Sequence, residues 1–522
     1  MMRRLLIAVI VIALAPTGTR AATRRAIRAD KSAAQCEALR SVALSETVVN
    51  QATVVAAGSF SPPGARGRNT VFDAVPAFCR VAMVLRPSAD SEIGVEVWLP
   101  MSGWNGKYQA VGNGGWAGAI GWPALARAVS RGYAASATDT GHSGNSGAFA
   151  VGHPEKLIDY AYRSEHLMAL AAKAVLQAFY RSAPSRSYFN GCSTGGRQAL
   201  VEAERFPDDF DGIIAGAAAN PKTHLDAWRM WISQAMFKDA ESLIPAVKYP
   251  AIHRAVLDAC DALDGVRDGL IESPPRCHFD PKALLCNGPD GPGCLTAAQV
   301  EAARAAMSPL RDPRTGEEIF PGFEPGNELG WGRLLGGPEP YETAMDTFRY
   351  VVFQNTGWNW RTFSLERDVA EADRTAHGTL SAVDPDLTRF AAHGGKLLMY
   401  HGWADQDIAP RASVNFYMRT RDATSPPASN SDWVRLFMVP GMQHCGGGEG
   451  PDTFDTVAAL EAWVEHGRAP ASMLASHSSA GRVNRTRPLC PYPQVARYKG
   501  AGSVDDAVSF VCVMPSSEPS SR

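Results

Sequence analysis

The residues best suited to chemistry in this 522-residue chain lie in the stretch GCSTGGRQ, residues 191 to 198. Ser193 stands in a G-x-S-x-G frame, between an expected strand at 187–190 and an expected helix from 196, which is the context of a nucleophile elbow. Gly191 and Gly195 leave room for the tight turn that pushes a serine hydroxyl outward. The frame alone is common, and a glycine-rich βα turn that binds phosphate is its rival. Two later strand ends supply what a serine nucleophile needs. The run KLLMY leads into HGWADQD, which puts Asp405 just beyond a strand, and WVRLFMV leads into PGMQHC, which puts His444 in the loop after the next strand. An imidazole, with a pKa of ~6.5, can take the serine proton and return it to a leaving group. A buried carboxylate fixes its tautomer and stabilises the imidazolium. Asp407 competes for the acid, but Asp405 lies closer to the strand end. Asp139, in TDTGHSG, precedes the serine and reads as a turn supporting the site, with His142 structural.

An oxyanion site needs two backbone N–H groups. Thr194, directly after the serine, offers one, and the glycine-rich loop in QAVGNGGWAG offers the other, with Gly115 preferred and Gly114 adjacent. Cys192 and Cys445 are the neighbours of Ser193 and His444, so contact between serine and histidine brings the two thiols within bridging distance. Two buried free thiols are the alternative, and Cys192 as nucleophile is a poor one, because it points elsewhere at the turn.

The elements that must position these residues follow from the pattern. Expected strands at 95–99, 108–111, 133–138, 187–190 and 212–217 alternate with helical segments such as 164–180 and 196–206, which predicts a mostly parallel sheet covered on both faces. From about 220 to 385 the chain is rich in Trp, Pro, Gly and Asp and carries few strand signals, although 296–307 reads as a helix. The rhythm then resumes with strands at 396–400 and 434–439 and helices at 411–419 and 453–466. One sheet domain with an inserted lid accounts for the late strands, which would lack partners in a second tandem domain. Strand-end Ser, Asp and His in that chain order point to an α/β-hydrolase core. The expected organisation is a signal peptide over 1–21, core over 22–219 and 386–515, lid over 220–385, and a disordered tail over 516–522.

Composition sets the outer bounds. A net charge of −2 gives no reason to expect nucleic acid or an anionic membrane surface as partner. The start MMRRLLIAVIVIALAPTGTRAA has a basic n-region, a short apolar core and a plausible cleavage site, so a secreted or periplasmic protein with no membrane attachment after cleavage is expected; an uncleaved anchor is the alternative. Export suits an even count of 10 cysteines. The suggestive local pairs are Cys36 with Cys79, Cys260 with Cys277, Cys286 with Cys294 and Cys490 with Cys512. No C-x-x-C or zinc-spaced cluster occurs.

With GNGGWAG, GCSTGGRQAL, YHGWAD, PGMQHCGGG and RTRPLCPYPQVARYKG in place, the sequence resembles the tannase and feruloyl esterase family, whose mark is Cys-Ser, Asp and His-Cys. Here that mark falls on Cys192-Ser193, Asp405 and His444-Cys445. The resemblance implies an α/β-hydrolase core with a lid before the acid, a Cys192–Cys445 bridge and the four local bridges. It also implies a structural calcium ion in the lid, held in CDALDGVRDGL by Asp261, Asp264 and Asp268 with the carbonyls of Val266 and Leu270. The aspartates are hard oxygen donors and Gly265 and Gly269 let the backbone turn, but the spacing is not that of an EF-hand. Family members cleave esters of gallate, ferulate and other hydroxycinnamates, and in one bacterial branch terephthalate monoesters; the tail and cysteine spacing look most like that branch. The expected activity is therefore a secreted serine esterase acting on a small aromatic ester through an acyl-enzyme, as a monomer or small homo-oligomer. A peptidase of the same fold and a non-catalytic binding protein are the alternatives. Trp331, Phe348, Trp358, Trp360 and Phe363 are candidates for a ring-binding wall or for lid packing. Where the family carries a bulky aromatic a few residues after the acid, this chain has Ile408.

Overall fold

The computed structural model describes residues 33–64, 67, 69–424 and 433–515, so the expected signal peptide and tail lie outside the described residues. The central sheet has nine strands: β1 Thr47–Val55, β2 Phe78–Leu85, β3 Ile93–Pro100, β4 Lys107–Val111, β5 Ala134–Thr138, β6 Arg186–Cys192, β7 Gly212–Gly216, β8 Lys396–Gly402 and β9 Val434–Val439. Their order is β1-β2-β3-β5-β4-β6-β7-β8-β9. Pairing is antiparallel from β1 through β3 to β5 and parallel from β5 across to β9. The central parallel strands are continuous apolar or small-residue runs, such as AASAT in β5 and GIIAG in β7, buried along their whole length. Such runs belong in a sheet covered on both faces.

Successive residues of a strand feed opposite cores, as the two-residue period requires. Phe189, Ile213 and Leu397 pack with helices α2 Ser164–Tyr180, α3 Thr194–Arg205 and α7 Arg411–Ala423. Their neighbours Tyr188, Ile214 and Leu398 pack with α1 Trp122–Ser130 and α8 Thr456–His466. Among the described residues no helix is long and apolar enough to cross a membrane.

Between β7 and β8 the chain contributes nothing to the central sheet. That excursion holds α4 Lys222–Met236, α5 Tyr249–Cys260 and α6 Ala297–Met307 around its own apolar cluster. Trp331, Phe348, Trp358, Trp360 and Phe363 all belong to this cluster and are buried, so they are packing residues and none forms a ring wall at the cavity around Ser193. The cluster extends to Trp116, Tyr160 and Ile408, which seats the excursion on the C-terminal edge of the sheet.

Several features depart from the sequence-based expectation, two of them at the central sheet and its elbow. Strands β1 and β2 join the sheet ahead of the βα rhythm; they pair antiparallel with no α-helix between them, so a search for crossovers passes them by. Helix α3 starts at Thr194 and not at 196, because the turn at Ser193 is tight enough to enter the helix at once.

Candidate active site

Ser193 is the hinge between β6 and α3, with φ +64° and ψ −123°. A side chain in that region costs about 1–3 kcal/mol, which the surrounding hydrogen bonds must hold in place. The Ser193 N–H donates to the Gly216 carbonyl (3.0 Å), and its own carbonyl accepts from Arg197 N–H (3.1 Å) and Ala219 N–H (3.0 Å). The turn also needs glycine: a Cβ on Gly191 would sit 2.3 Å from the Gly195 carbonyl oxygen. Sequence thus forces the serine to project from the C-terminal edge of the sheet.

His444 follows β9, and its Nδ1–H donates to Asp405 Oδ2 at 2.7 Å. Asp405 is fully buried just beyond β8, and its Oδ1 accepts the N–H groups of Asp407 (2.7 Å) and Ile408 (2.9 Å). His401 Nε2 lies 3.0 Å from Oδ2, and its Nδ1 meets Ser413 Oγ at 2.8 Å. Burial pushes the Asp405 carboxyl up, but the His444 charge and the His401 and His444 hydrogen bonds outweigh it and hold the group well below the usual carboxylate range. For His444 burial pushes the ring down, while the Asp405 charge and hydrogen bond prevail and raise it. The competing acid Asp407 sits on the other side of the ring, 4.0 Å from His444 Nε2, and both its oxygens are engaged by Arg333 Nε (3.1 and 3.2 Å). Asp139 stays apart, taking the N–H groups of Gly94 and Gly141, and His142 Nε2–H donates to the Trp116 carbonyl (2.7 Å) while its Nδ1 meets Thr140 Oγ1 (3.2 Å).

The loop carrying Gly115 is fastened to the elbow. Thr194 Oγ1 and the Tyr160 hydroxyl both donate to the Gly115 carbonyl (2.9 and 2.7 Å). Asn113 N–H donates to Gln198 Oε1 (2.9 Å), and Gly195 N–H donates to the Asn113 carbonyl (2.8 Å). As the first residue of α3, Thr194 has no intrahelical acceptor for its N–H. Ser193, Thr194, Gly114, Gly115 and His444 line one cavity of about 390 Å³, together with Cys192 and Cys445. Such a set can attack a carbonyl, shuttle the proton and hold an oxyanion. The cavity is also lined by Lys222, Arg229, Arg333 and Tyr341, and with His401 these are the residues that sequence reasoning missed. His401 was within reach, as the histidine of YHGWAD; the cations come from the excursion, where spacing carries no signal.

A family model described as tannase and feruloyl esterase matches residues 79–513. The chain belongs to the tannase and feruloyl esterase family. An uncharacterized esterase of Xanthomonas campestris pv. campestris is 39% identical, over 92% of this chain and 92% of that one. A probable feruloyl esterase B-1 of Aspergillus oryzae is 33% identical over 92% and 93%. The crystal structure of feruloyl esterase B from Aspergillus oryzae superposes with a TM-score of 0.87 at 33% identity, over 92% of this chain and all of that one. A tannin acyl hydrolase from Aspergillus niger shares the fold, with a TM-score of 0.72 at 23% identity over 92% of this chain and 94% of that one. The fold is of the α/β-hydrolase type and the protein is a carboxylic ester hydrolase.

In this member of the family Cys192 and Cys445 are bonded to each other, joining the residue beside Ser193 to the residue beside His444. Cys36–Cys79, Cys260–Cys277, Cys286–Cys294 and Cys490–Cys512 are also bonded, so no thiol is free. The loop after α5 gathers three carboxylates. Asp261 accepts the N–H groups of Asp268 and Gly269, Asp264 that of Val266, and Asp268 that of Leu270, while Arg487 pairs with Asp268. Burial, then the charges of Asp268 and Asp261, push the Asp264 carboxyl up to about 6 despite its backbone hydrogen bond. Three aspartates facing one arginine put hard oxygen donors, the kind calcium takes, in a single turn.

Proposed function

We propose that the protein is an exported serine esterase that hydrolyses esters of aromatic acids through an acyl-enzyme. Ser193 Oγ attacks the ester carbonyl as His444 Nε2 takes its proton. The tetrahedral oxyanion is held by the N–H groups of Gly115 and Thr194, and the alcohol leaves with the proton returned by His444. Water then adds to the acyl carbon by the same route and frees the aromatic acid. Asp405 keeps His444 in the working tautomer. The observation carrying this reading is the single cavity that holds Ser193, His444, Gly115 and Thr194, with Asp405 bonded behind the ring. Galloyl, hydroxycinnamoyl and terephthaloyl monoesters are the substrate classes, and the cationic Arg333 at the cavity suits an acid part bearing a carboxylate or phenolate. Export is supported by five disulfides, which persist in oxidising compartments.

The test is Ser193→Ala assayed on methyl gallate, methyl ferulate, chlorogenate and a terephthalate monoester. Turnover should fall by about 10⁴-fold or more with the melting temperature retained; undiminished hydrolysis would refute the assignment.

A structural calcium ion belongs to the same proposal. Asp261, Asp264, Asp268 and the Val266 and Leu270 carbonyls would hold it, fixing the loop through Arg487 against the antiparallel pair of strands Met473–Ser479 and Arg482–Leu489. Chelation with EGTA should lower Tm by several degrees, on the order of 4 °C or more, and added calcium should restore it; an unchanged Tm would count against a resident ion.

A further inference from the structure

A second group of metal-ligand side chains lies outside the ester-cleaving cavity. His224 is on the first turn of α4, and Asp373 and His377 are four residues apart on the π-turn Asp373–His377. His224 Nε2 is 2.8 Å from Asp373 Oδ1, and His377 Nδ1 is 3.7 Å from the same oxygen. One ligand atom from each of the three lies within 4.8 Å of the others. The two imidazoles stack at 4.2 Å between centroids, and both are 20% exposed.

We propose that His224, Asp373 and His377 form a binding site for a divalent transition-metal ion of the zinc class. Tetrahedral coordination at about 2.0–2.1 Å sets neighbouring donors about 3.3 Å apart. The two separations to Asp373 bracket that value, and the two imidazole donors lie within 4.8 Å of each other, so side-chain adjustment closes the set on an ion. Two imidazoles and a carboxylate select a borderline ion such as zinc or cobalt over calcium. Thr223 Oγ1, now 2.7 Å from His377 Nδ1, is the group the ion displaces. The three side chains open onto a cavity of about 590 Å³ whose walls carry Asp312, Glu317, Glu318 and Glu366 against Arg314 and Arg419. That balance of charge draws a cation in. The fourth coordination position faces this cavity and is left to water.

The ion would clamp the start of α4 to the π-turn. Lys222, two residues before His224, lines the cavity of Ser193, so the clamp would stiffen one wall of the ester site without touching substrate.

The test uses the full chain, stripped with chelator and dialysed, then titrated with zinc chloride and with cobalt chloride. We expect one ion per chain with Kd below about 100 μM, visible d–d bands from cobalt and a zinc-dependent rise in Tm. His224→Ala and His377→Ala should each weaken binding about 10- to 100-fold and remove the Tm rise. Asp373→Asn, which keeps the shape of the side chain, should weaken it in the same direction. Asp261→Asn, in the calcium loop, should leave zinc binding unchanged. Absence of saturable binding below about 1 mM, or equal binding by wild type and the two histidine variants, would overturn the site. Ester hydrolysis is not the readout, so failure here is distinct from failure of the serine mechanism.

Discussion

At the scale of single residues the informative contrast is between two aspartates two positions apart. Asp405 holds Nδ1 of His444, while Asp407 lies beyond Nε2 and is engaged by Arg333. The ring nitrogen that would take the Ser193 proton in the proposed reaction therefore has no strong partner, its neighbours being Cys445 Sγ at 3.7 Å and Asp407 Oδ2 at 4.0 Å. The pH dependence follows from the raised His444. A raised pKa keeps the imidazolium populated above the ordinary ~6.5, and only the neutral ring can accept the serine proton. The acid limb of kcat/KM should accordingly fall above pH ~6.5, with activity lost as pH drops through it. A limb at or below ~6 in a pH–rate profile would contradict the Asp405 pairing. The strand-end placement of Ser193, Asp405 and His444 was legible in the sequence because each follows an apolar strand run. Lys222, Arg229 and Arg333 were not, since their arrival at the cavity depends on how the excursion packs.

At the scale of elements the elbow is the least tolerant piece. The turn from β6 into α3 has no room for a methyl group at Gly191, whose added Cβ would meet backbone and not a movable side chain. Gly191→Ala should destabilise the protein by about 1–3 kcal/mol and misplace Ser193, lowering kcat more than it raises KM. Urea unfolding alongside steady-state kinetics would check this; a fully active, equally stable variant would show that the turn can relax. The crossover strands could be read from sequence to within two residues, as with β9 at 434–439, because buried parallel strands are continuous apolar runs with helices between them. Strands β1 and β2 escaped because an antiparallel pair at a sheet edge follows no such rhythm, and β1 has a single fully buried residue, Ala52. The excursion defied reading because its short helical turns are ordered by tertiary packing around Trp228, Trp331 and Phe348 and not by local periodicity.

At the scale of the whole molecule, one body of sheet and helices carries a second apolar cluster on its C-terminal edge, and the cavity of Ser193 lies where they meet. The Cys192–Cys445 bond spans 253 residues, far more than the 8 to 43 spanned by the other four. In the loop-entropy account a closure of that length is worth about 5 kcal/mol. Its topology has a further result for how the chain bears a backbone cut. Residues 192 to 445 form a covalent ring that contains the entire excursion. A single backbone cut in its exposed turns opens that ring but leaves the serine half and the histidine half joined through sulfur. Limited proteolysis should thus yield a nicked protein that runs as one band without reductant, separates into two with it, and still turns over ester until the bond is reduced. Loss of activity at the moment of nicking would mean that the bond alone cannot keep the two halves in register.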